Sequence, residues 1–395
     1  MRVDPARWLD KPGIRRLLDA LGAGDGSARF VGGAVRDALL GIEGEDLDLA
    51  TTLTPDEVTR RLAARHIKAV PTGIEHGTIT AVSSGTVVEV TTLRSDVSTD
   101  GRRASVAFTA DWAQDAARRD FTINALYADP FTGEVLDPVG GEADIRARRV
   151  RFIGDPLSRI AEDHLRILRF FRFHARFGDG VPDVAALTAC AARANDLMAL
   201  SRERIADELL KLLALPDPSP TVTTMQQCGI FAPVIPELVA DPGTAVAALA
   251  RAEQAAAIPP DPLRRLAAML PRDPALAERI AVRLKLSKKA RKRLAAAADP
   301  DLAANLHALA YAVSIETAQD RLLLADRPSD AATLTGWAIP RLPLKGGDLI
   351  ARGIAEGPDV ARTLRLIEAQ WVAAGFPADA AFAALLDRAL AGIIV

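Results

Sequence analysis

Two aspartates separated by one apolar residue, Asp46-Leu47-Asp48, stand ten residues beyond Arg36 of a glycine-containing turn, Gly32-Gly33-Ala34-Val35-Arg36-Asp37. On a strand the two carboxylates of an Asp-x-Asp share one face. Held a few ångströms apart they repel each other unless a divalent cation lies between them, and an oxygen pair of this kind suits Mg²⁺ together with a substrate triphosphate. The paired glycines let backbone N–H groups approach an anion, the helix start that follows adds a favourable partial charge, and Arg36 supplies a fixed cation. Each feature alone is weak evidence, since a glycine pair is ordinarily a turn and an Asp-x-Asp ordinarily a solvated edge strand. Their proximity points to phosphate chemistry.

Two later segments add recognition groups. Arg118-Arg119-Asp120-Phe121-Thr122-Ile123-Asn124 sets two arginines, an aspartate and an asparagine in an apolar run. Aspartate and asparagine can hydrogen-bond ribose hydroxyls while arginine pairs with phosphate, so the segment suits a ribonucleoside triphosphate. In Glu162-Asp163-His164-Leu165-Arg166-Ile167-Leu168-Arg169-Phe170-Phe171-Arg172, the residues Asp163, Arg166, Arg169 and Arg172 recur every three positions. Read as one helix, they line a slowly drifting face. Such stripes are commonly solvated ion pairs, but the apolar residues around this one imply partial enclosure, where unpaired charge is costly. A carboxylate beside a guanidinium can read a base edge: Asp163 accepts from an exocyclic amino group and Arg166 donates to a ring nitrogen or carbonyl. Cytosine and adenine carry that amino group, whereas uracil and guanine would set a carbonyl against the carboxylate.

The elements that must position these groups divide the chain. Short β-branched runs, Thr78 to Val82 and Thr86 to Thr92, alternate with helix-like segments such as Pro55 to Arg65 up to about residue 150, which predicts a small mixed α/β domain. Beyond Asp155 alanine, leucine and arginine recur at helical spacing, broken by prolines at Pro216 to Pro220, Pro259 to Pro262 and Pro271 to Pro274. The expectation is an α+β chain with a catalytic segment at 1–150 and helical segments at 151–215, 216–300 and 301–395. At 395 residues there is ample apolar content for several cores.

Composition excludes some classes. No run of about 18 apolar residues occurs, and Met1 to Lys11 lack an apolar core, which reads as an unexported, cytoplasmic protein with no membrane partner. Cys190 and Cys228 are too few for a disulfide framework or a zinc site. The net charge of −2 neither favours nor excludes nucleic acid, but basic residues cluster at Arg102-Arg103, Arg118-Arg119, Arg166 to Arg176 and Arg283 to Arg293. The last run is a candidate phosphate-tracking surface.

The glycine turn and carboxylate pair resemble the nucleotidyltransferase superfamily typified by DNA polymerase beta. That resemblance implies a third carboxylate from a later strand, for which Glu89 in Val87-Val88-Glu89-Val90 is the candidate. The resemblance becomes specific with Arg118-Arg119-Asp120, Asp137-Pro138-x-Gly140-Gly141-x-x-Asp144, Glu162-Asp163-x-x-Arg166 and Arg202-Glu203-Arg204-Ile205-x-x-Glu208. These follow the motif order of the class II CCA-adding tRNA nucleotidyltransferases and bacterial poly(A) polymerases, over about residues 30 to 210. It implies a nucleotidyltransferase head with a small mixed β-sheet, then all-α neck, body and tail. It also implies Gly32, Gly33, Arg36 and Asp37 at the triphosphate, with Asp46 and Asp48 on Mg²⁺. Arg118, Arg119, Asp120 and Asn124 would hold phosphate and ribose, Asp163 and Arg166 would be the amino-acid template for the base, and Arg169 and Arg172 would extend the nucleotide site.

Within that family Val70-Pro71-Thr72-Gly73-Ile74-Glu75-His76-Gly77-Thr78-Ile79 resembles the CCA-adding branch. Thr92 to Arg103 resembles the loop these enzymes use in switching from CTP to ATP. Pro343-Leu344-Lys345-Gly346-Gly347-Asp348-Leu349-Ile350 resembles their tail, where the elbow of tRNA is contacted; as plain sequence it also reads as a helix cap and turn. None of the five histidines precedes an aspartate, so a metal-dependent phosphohydrolase activity is not expected. The implied partners are CTP, ATP and tRNA at its acceptor end and elbow, with the chain a monomer or homodimer. The alternatives are a poly(A) polymerase and a non-catalytic RNA-binding relative.

Overall fold

The computed structural model describes residues 1–44, 47–98, 105–303 and 305–391. Asp46 and the Asp100 to Arg103 segment lie outside the described residues. Nine strands are described, all before residue 150: β1 (Ala28–Val31), β2 (Asp48–Thr51), β3 (Lys68–Gly73), β4 (Thr78–Ser83), β5 (Thr86–Thr92), β6 (Arg94–Ser98), β7 (Ser105–Phe108), β8 (Tyr127–Ala128) and β9 (Val135–Leu136). Seven form one sheet in the order β3-β4-β5-β2-β1-β8-β9, while β6 and β7 form a separate antiparallel ribbon. Among the described residues only β2 and β5 run parallel in the larger sheet, so it is mixed. Much of the segment from Thr92 to Arg103 that resembles a loop is therefore strand. Thr92 closes β5, and Arg94 to Ser98 pair with Ser105 to Phe108.

Alternation explains the sheet. In β5, Val88, Val90 and Thr92 are buried while Val87 and Glu89 are exposed. The helices α1 (Ala6–Leu9), α2 (Ile14–Leu21), α3 (Gly33–Leu39) and α4 (Pro55–Ala64) follow in order of sequence, with α2 and α4 packed against β4. The Thr54 hydroxyl caps α4 by accepting the Glu57 N–H, with Pro55 as its first residue. Two short helices, α5 (Trp112–Ala117) and α6 (Gly141–Arg146), complete the strand-bearing region.

From residue 156 every described regular element is helical. The next are α7 (Pro156–Glu162), α8 (Arg166–Phe177), α9 (Val184–Ala192), α10 (Arg202–Leu213) and α11 (Ser219–Gln227). They are followed by α12 (Pro242–Ala255), α13 (Pro262–Ala268), α14 (Pro274–Arg283), α15 (Lys288–Ala297), α16 (Leu306–Val313), α17 (Ile315–Leu324), α18 (Pro328–Thr333), α19 (Gly346–Ile350), α20 (Pro358–Ala373) and α21 (Asp379–Ala391). Four of these helices start on an Asp-Pro pair: Asp155, Asp241, Asp261 and Asp273 each cap backbone N–H groups, and the proline takes the first turn, where no donor is needed. The prolines that read as breaks are thus also helix starts. The tail sequence at Lys345 likewise begins α19, with the Lys345 N–H donating to Asp348 at 2.7 Å.

The chain divides into two compact units, one of Met1–Glu208 with Thr224–Val234, the other of Leu209–Thr223 with Ile235–Val395. The second holds two apolar cores. One is built on Leu249, Leu309 and Leu322 and the other on Ile367, Trp371 and Leu386. Near the first lies a buried ionic cluster in which Glu253 accepts from Arg264 at 2.8 Å and Arg265 at 3.0 Å, while Asp320 accepts from Arg264 and Arg293, both at 2.7 Å. This bears on the basic run Arg283 to Arg293. Arg283 is paired with Glu237 and Arg293 with Asp261, Glu316 and Asp320, so its two end arginines hold structure, and the exposed cations on α15 are Lys288, Lys289 and Lys292. No described helix is long and apolar enough to cross a membrane.

Candidate active site

The sheet brings the first carboxylates together. Asp48 opens β2, and in the parallel pairing its register partner is Glu89 on β5. Residues level with each other in adjacent strands point to the same side, and both side chains line one cavity of about 660 Å³ in the N-terminal unit. The alternation that buries Leu49, Val88 and Val90 leaves Asp48 half-buried and Glu89 exposed. Asp46 lies outside the described residues. Among the described residues no group of three or more Asp, Glu, His or Cys is arranged for a metal ion, while Asp48 and Glu89 bring two carboxylates to one cavity. That donor chemistry fits a divalent cation of the Mg²⁺ class.

Strand β1 pairs antiparallel with β2, Phe30 opposite Leu49, so its end delivers Gly32 and Gly33 beside Asp48. Gly32 has φ +65° and ψ −121°, a conformation L side chains rarely adopt, and a Cβ there would come within 3.5 Å of Arg119. Arg36, one turn into α3, is buried; its Nη1 donates to Asn124 Oδ1 at 2.6 Å and its Nε to Asp37 Oδ1 at 2.8 Å. The guanidinium lies 3.9 Å from the centroid of the Phe177 ring. Burial lowers its pKa from the ordinary arginine value while Asp37 opposes the shift, and an arginine so placed stays charged. Asp37 does not line the cavity. It anchors Arg36.

The Arg118 to Asn124 segment forms the facing wall. Asp120 Oδ1 accepts from the Phe121 N–H at 2.8 Å and Asn124 Nδ2 at 3.0 Å; Oδ2 accepts from Arg169 Nε at 2.9 Å and Nη2 at 2.5 Å. Burial pushes the Asp120 carboxyl up, but Arg169 and these donors more than offset it and hold it below the usual carboxylate range. Burial lowers Arg169 in turn, but Asp120, with Glu208 and Asp163, more than offsets it and the guanidinium is raised. Arg172 does not line the cavity. Its Nε donates to the buried Glu208 at 2.6 Å.

The stripe from Asp163 to Arg172 is not one helix. Helix α7 ends at Glu162, Asp163 is extended at φ −150° and ψ 106°, and α8 begins at Arg166. The cause is local competition for backbone donors: Asp163 Oδ1 accepts the Leu165 N–H at 3.1 Å, as an aspartate before a helix does. The three-residue repeat therefore holds only from Arg166 to Arg172. The break still leaves Asp163 and Arg166 on the same cavity as Asp48 and Glu89. Asp163 Oδ2 accepts from Arg204 at 2.8 Å, and Arg166 Nη1 donates to Glu162 Oε2 at 2.6 Å and to the Arg159 carbonyl at 2.9 Å.

Sequence reasoning assigned no role to Asp115, which also lines the cavity. This buried carboxylate accepts from Arg119 Nε and Nη2 at 3.1 and 3.0 Å, the Tyr127 hydroxyl at 2.7 Å and the Arg94 N–H at 3.1 Å. Burial would raise it, but Arg119, Tyr127 and Arg94 together hold it below the usual carboxylate range. It ties the root of the β6–β7 ribbon to an arginine of the site. The legible signal was an aspartate on a short helix four residues before an arginine just past its end. Thr91, Arg94 and Phe173 line the cavity as well.

Known proteins resemble this chain in sequence and fold. Residues 28–151 match the family described as the Poly A polymerase head domain, and residues 184–241 match that described as a probable RNA and SrmB-binding site of polymerase A. Residues 28–151 thus form a nucleotidyltransferase head, and the protein is an enzyme of that class. Across nearly its whole length the chain is 32% identical to CCA tRNA nucleotidyltransferase 1, mitochondrial, of Mus musculus, over 390 residues that cover 92% of this chain and 87% of the relative. It is 40% identical over 222 residues to the CCA-adding enzyme of Levilactobacillus brevis, covering 55% of this chain and 54% of that one. The crystal structure of the Bacillus stearothermophilus CCA-adding enzyme in complex with CTP superposes with a TM-score of 0.74 at 26% identity, covering 96% and 98% of the two chains. The chain belongs to the CCA tRNA nucleotidyltransferase family.

Proposed function

We propose that this cavity carries out the family's reaction, adding C, C and A to the 3′ end of tRNA from CTP and ATP without a nucleic-acid template. The observation that carries the reading is that a carboxylate and a guanidinium able to read a base edge, Asp163 and Arg166, line the same cavity as the carboxylates Asp48 and Glu89. The family is metal-dependent, and we assign Mg²⁺ to Asp46 and Asp48. Bound there, the ion would lower the pKa of the attacking hydroxyl and offset charge on the phosphates.

In this reading Gly32 and Gly33 allow the triphosphate to approach the backbone, and Arg36, Arg118 and Arg119 offset its charge. Asp120 and Asn124, already bonded to each other, sit at the ribose and hold Arg169 and Arg36 in place. Glu89 lies beside the attacking 3′ hydroxyl. Asp163 accepts from the amino group of cytosine or adenine, and Arg166 donates beside it. Asp37 and Arg172 act through their neighbours: Asp37 fixes Arg36, and Arg172 packs Glu208 below the site.

We assign residues 1–150 as catalytic head, 151–215 as neck, 216–300 as body and 301–395 as a tail that contacts the tRNA elbow, in a cytoplasmic monomer or homodimer. The mouse relative carries a mitochondrial designation in its name. The base template is tested by Asp163→Ala: incorporation of UTP relative to CTP and ATP should rise at least tenfold, about the worth of one charge-assisted hydrogen bond. Unchanged selectivity with nucleotide addition retained would refute the assignment.

A further inference from the structure

The sheet face that carries Asp48 and Glu89 continues beyond them. Asp48 is level with Glu89 on β5, and Glu89 is level in turn with Thr80 on β4. Residues opposite each other in an antiparallel pair share a face with Cβ atoms about 5 Å apart, and in β4 the buried Ile79 and Ala81 alternate with half-buried Thr78 and Thr80. The hydroxyls on this face are paired: Thr80 Oγ1 lies 2.7 Å from Thr72 Oγ1, and Thr78 Oγ1 lies 3.1 Å from Thr91 Oγ1. A bulge makes the first pair. Val70 is opposite Thr80 and Gly73 opposite Thr78, so three steps along β3 meet two along β4, and the extra residue turns Thr72 onto Thr80. Pro71 fits within the bulge because β3 is the edge strand. Thr72 and Thr78 belong to the segment from Val70 to Ile79, to which the site described above gives no role.

We propose that the hydroxyl pair of Thr80 and Thr72 receives the 2′ hydroxyl of the terminal ribose of the RNA being extended, and so selects an RNA end over a DNA end. The inference rests on the nucleotidyl-transfer reading above, in which the attacking 3′ hydroxyl lies beside Glu89. The 2′ and 3′ hydroxyls of a ribose stand on adjacent carbons and on the same side of the ring. With the 3′ hydroxyl at Glu89, its neighbour therefore falls one strand to either side, towards Asp48 or towards Thr80. The Asp48 side is assigned to the metal and the triphosphate. The Thr80 side offers hydroxyls. Two hydroxyls bonded to each other share one hydrogen and keep a second donor and spare lone pairs, so together they can both donate to and accept from a third. The 2′ hydroxyl is itself donor and acceptor, and it is the group by which a protein tells RNA from DNA. Each added nucleotide brings a new terminal ribose to the same pair.

The test removes the protein hydroxyl and the RNA hydroxyl separately and together, with the full chain, Mg²⁺ and CTP. Two tRNA transcripts lacking CCA are compared, one ending in a ribose and one in a 2′-deoxyribose, both with a free 3′ hydroxyl. The wild type should favour the ribose end about tenfold in kcat/KM, the worth of one hydrogen bond. Thr80→Val keeps the branched shape and the strand propensity while removing the hydroxyl. Its preference should fall to within about twofold, by loss on the ribose end alone and with the KM for CTP unchanged. Thr72→Val should lower the preference by a smaller factor, since Thr72 acts beside Thr80. The 2′ hydroxyl also affects ring pucker and the acidity of the 3′ hydroxyl, so the diagnostic quantity is the dependence of the preference on Thr80. A wild-type preference retained in full by Thr80→Val, or a loss of equal size on both ends, overturns the inference and leaves the transferase reading standing. A wild-type chain that shows no preference overturns it as well. A wild-type chain that adds nothing to the ribose end refutes the transferase reading itself.

Discussion

Asp115→Asn preserves size and removes charge at the point where the ribbon root meets the nucleotide cavity. Asp115 Oδ1 accepts the Arg94 N–H, and Oδ2 accepts both Arg119 nitrogens and the Tyr127 hydroxyl. All four are donors. An asparagine can keep its oxygen towards Arg119 and Tyr127 only by turning its NH₂ against the Arg94 N–H, and the reverse orientation sets NH₂ against the guanidinium. In either orientation a donor faces a donor, and Arg119 loses its carboxylate at a position three-quarters buried. Breaking a buried pair by removing one partner costs about 3–5 kcal/mol, and the opening of Arg119 to the cavity sets the expectation near ~3 kcal/mol. Urea unfolding of the N-terminal unit should show a lower midpoint at unchanged slope, and the KM for both CTP and ATP should rise because Arg119 is no longer held. The pH dependence has a definite sign. The folded pKa of Asp115 lies below its ordinary value, so its stabilisation is complete above the unfolded carboxylate pKa of about 4 and is lost as pH falls through the folded value. The variant should lack that acid-dependent part. A loss below about 1 kcal/mol with unchanged KM values for both nucleotides would refute this account of Asp115.

Gly32→Ala should cost about 1–2 kcal/mol from its backbone conformation alone, and the methyl near Arg119 should lower kcat/KM for both nucleotides; steady-state kinetics with thermal unfolding checks both. Glu253→Gln leaves Arg264 and Arg265, each under 5% exposed, short of a carboxylate, and should destabilise the C-terminal unit by about 3–5 kcal/mol. A thermal midpoint unchanged within a degree would contradict it.

Local chemistry was the most legible part of the sequence. The alternation of β5, the glycine turn and the Asp-Pro helix starts each depend on neighbours within a few residues, and they fold as their composition dictates. The site's polar contacts depend on distant partners. Arg36 and Asn124 are 88 residues apart, and Arg169 meets Asp120 across 49. No spacing rule reveals such pairs. The parallel register that sets Glu89 level with Asp48 is of the same kind, and only the resemblance to a known superfamily suggested Glu89. The break at Asp163 is invisible in the pattern because a three-residue charge repeat and an apolar surround look the same whether the helix is continuous or restarts. The side chain's hydrogen bond to the Leu165 N–H decides it. Asp37 and Arg172 read as nucleotide contacts because charge in a motif suggests a ligand; in the fold they bond Arg36 and Glu208, partners that the motif does not announce.

The most direct measurement is of product ends. Purified protein is incubated with three tRNA transcripts, lacking the terminal CCA, ending in CC, and complete, with CTP, ATP or both, and the 3′ ends are sequenced. The account predicts that the first transcript gains CC with CTP alone and CCA with both nucleotides. It predicts that the second gains a single A, that the complete transcript is not extended, and that Asp48→Ala adds nothing. Long ATP-dependent tails on any transcript, or full addition by Asp48→Ala, would contradict it.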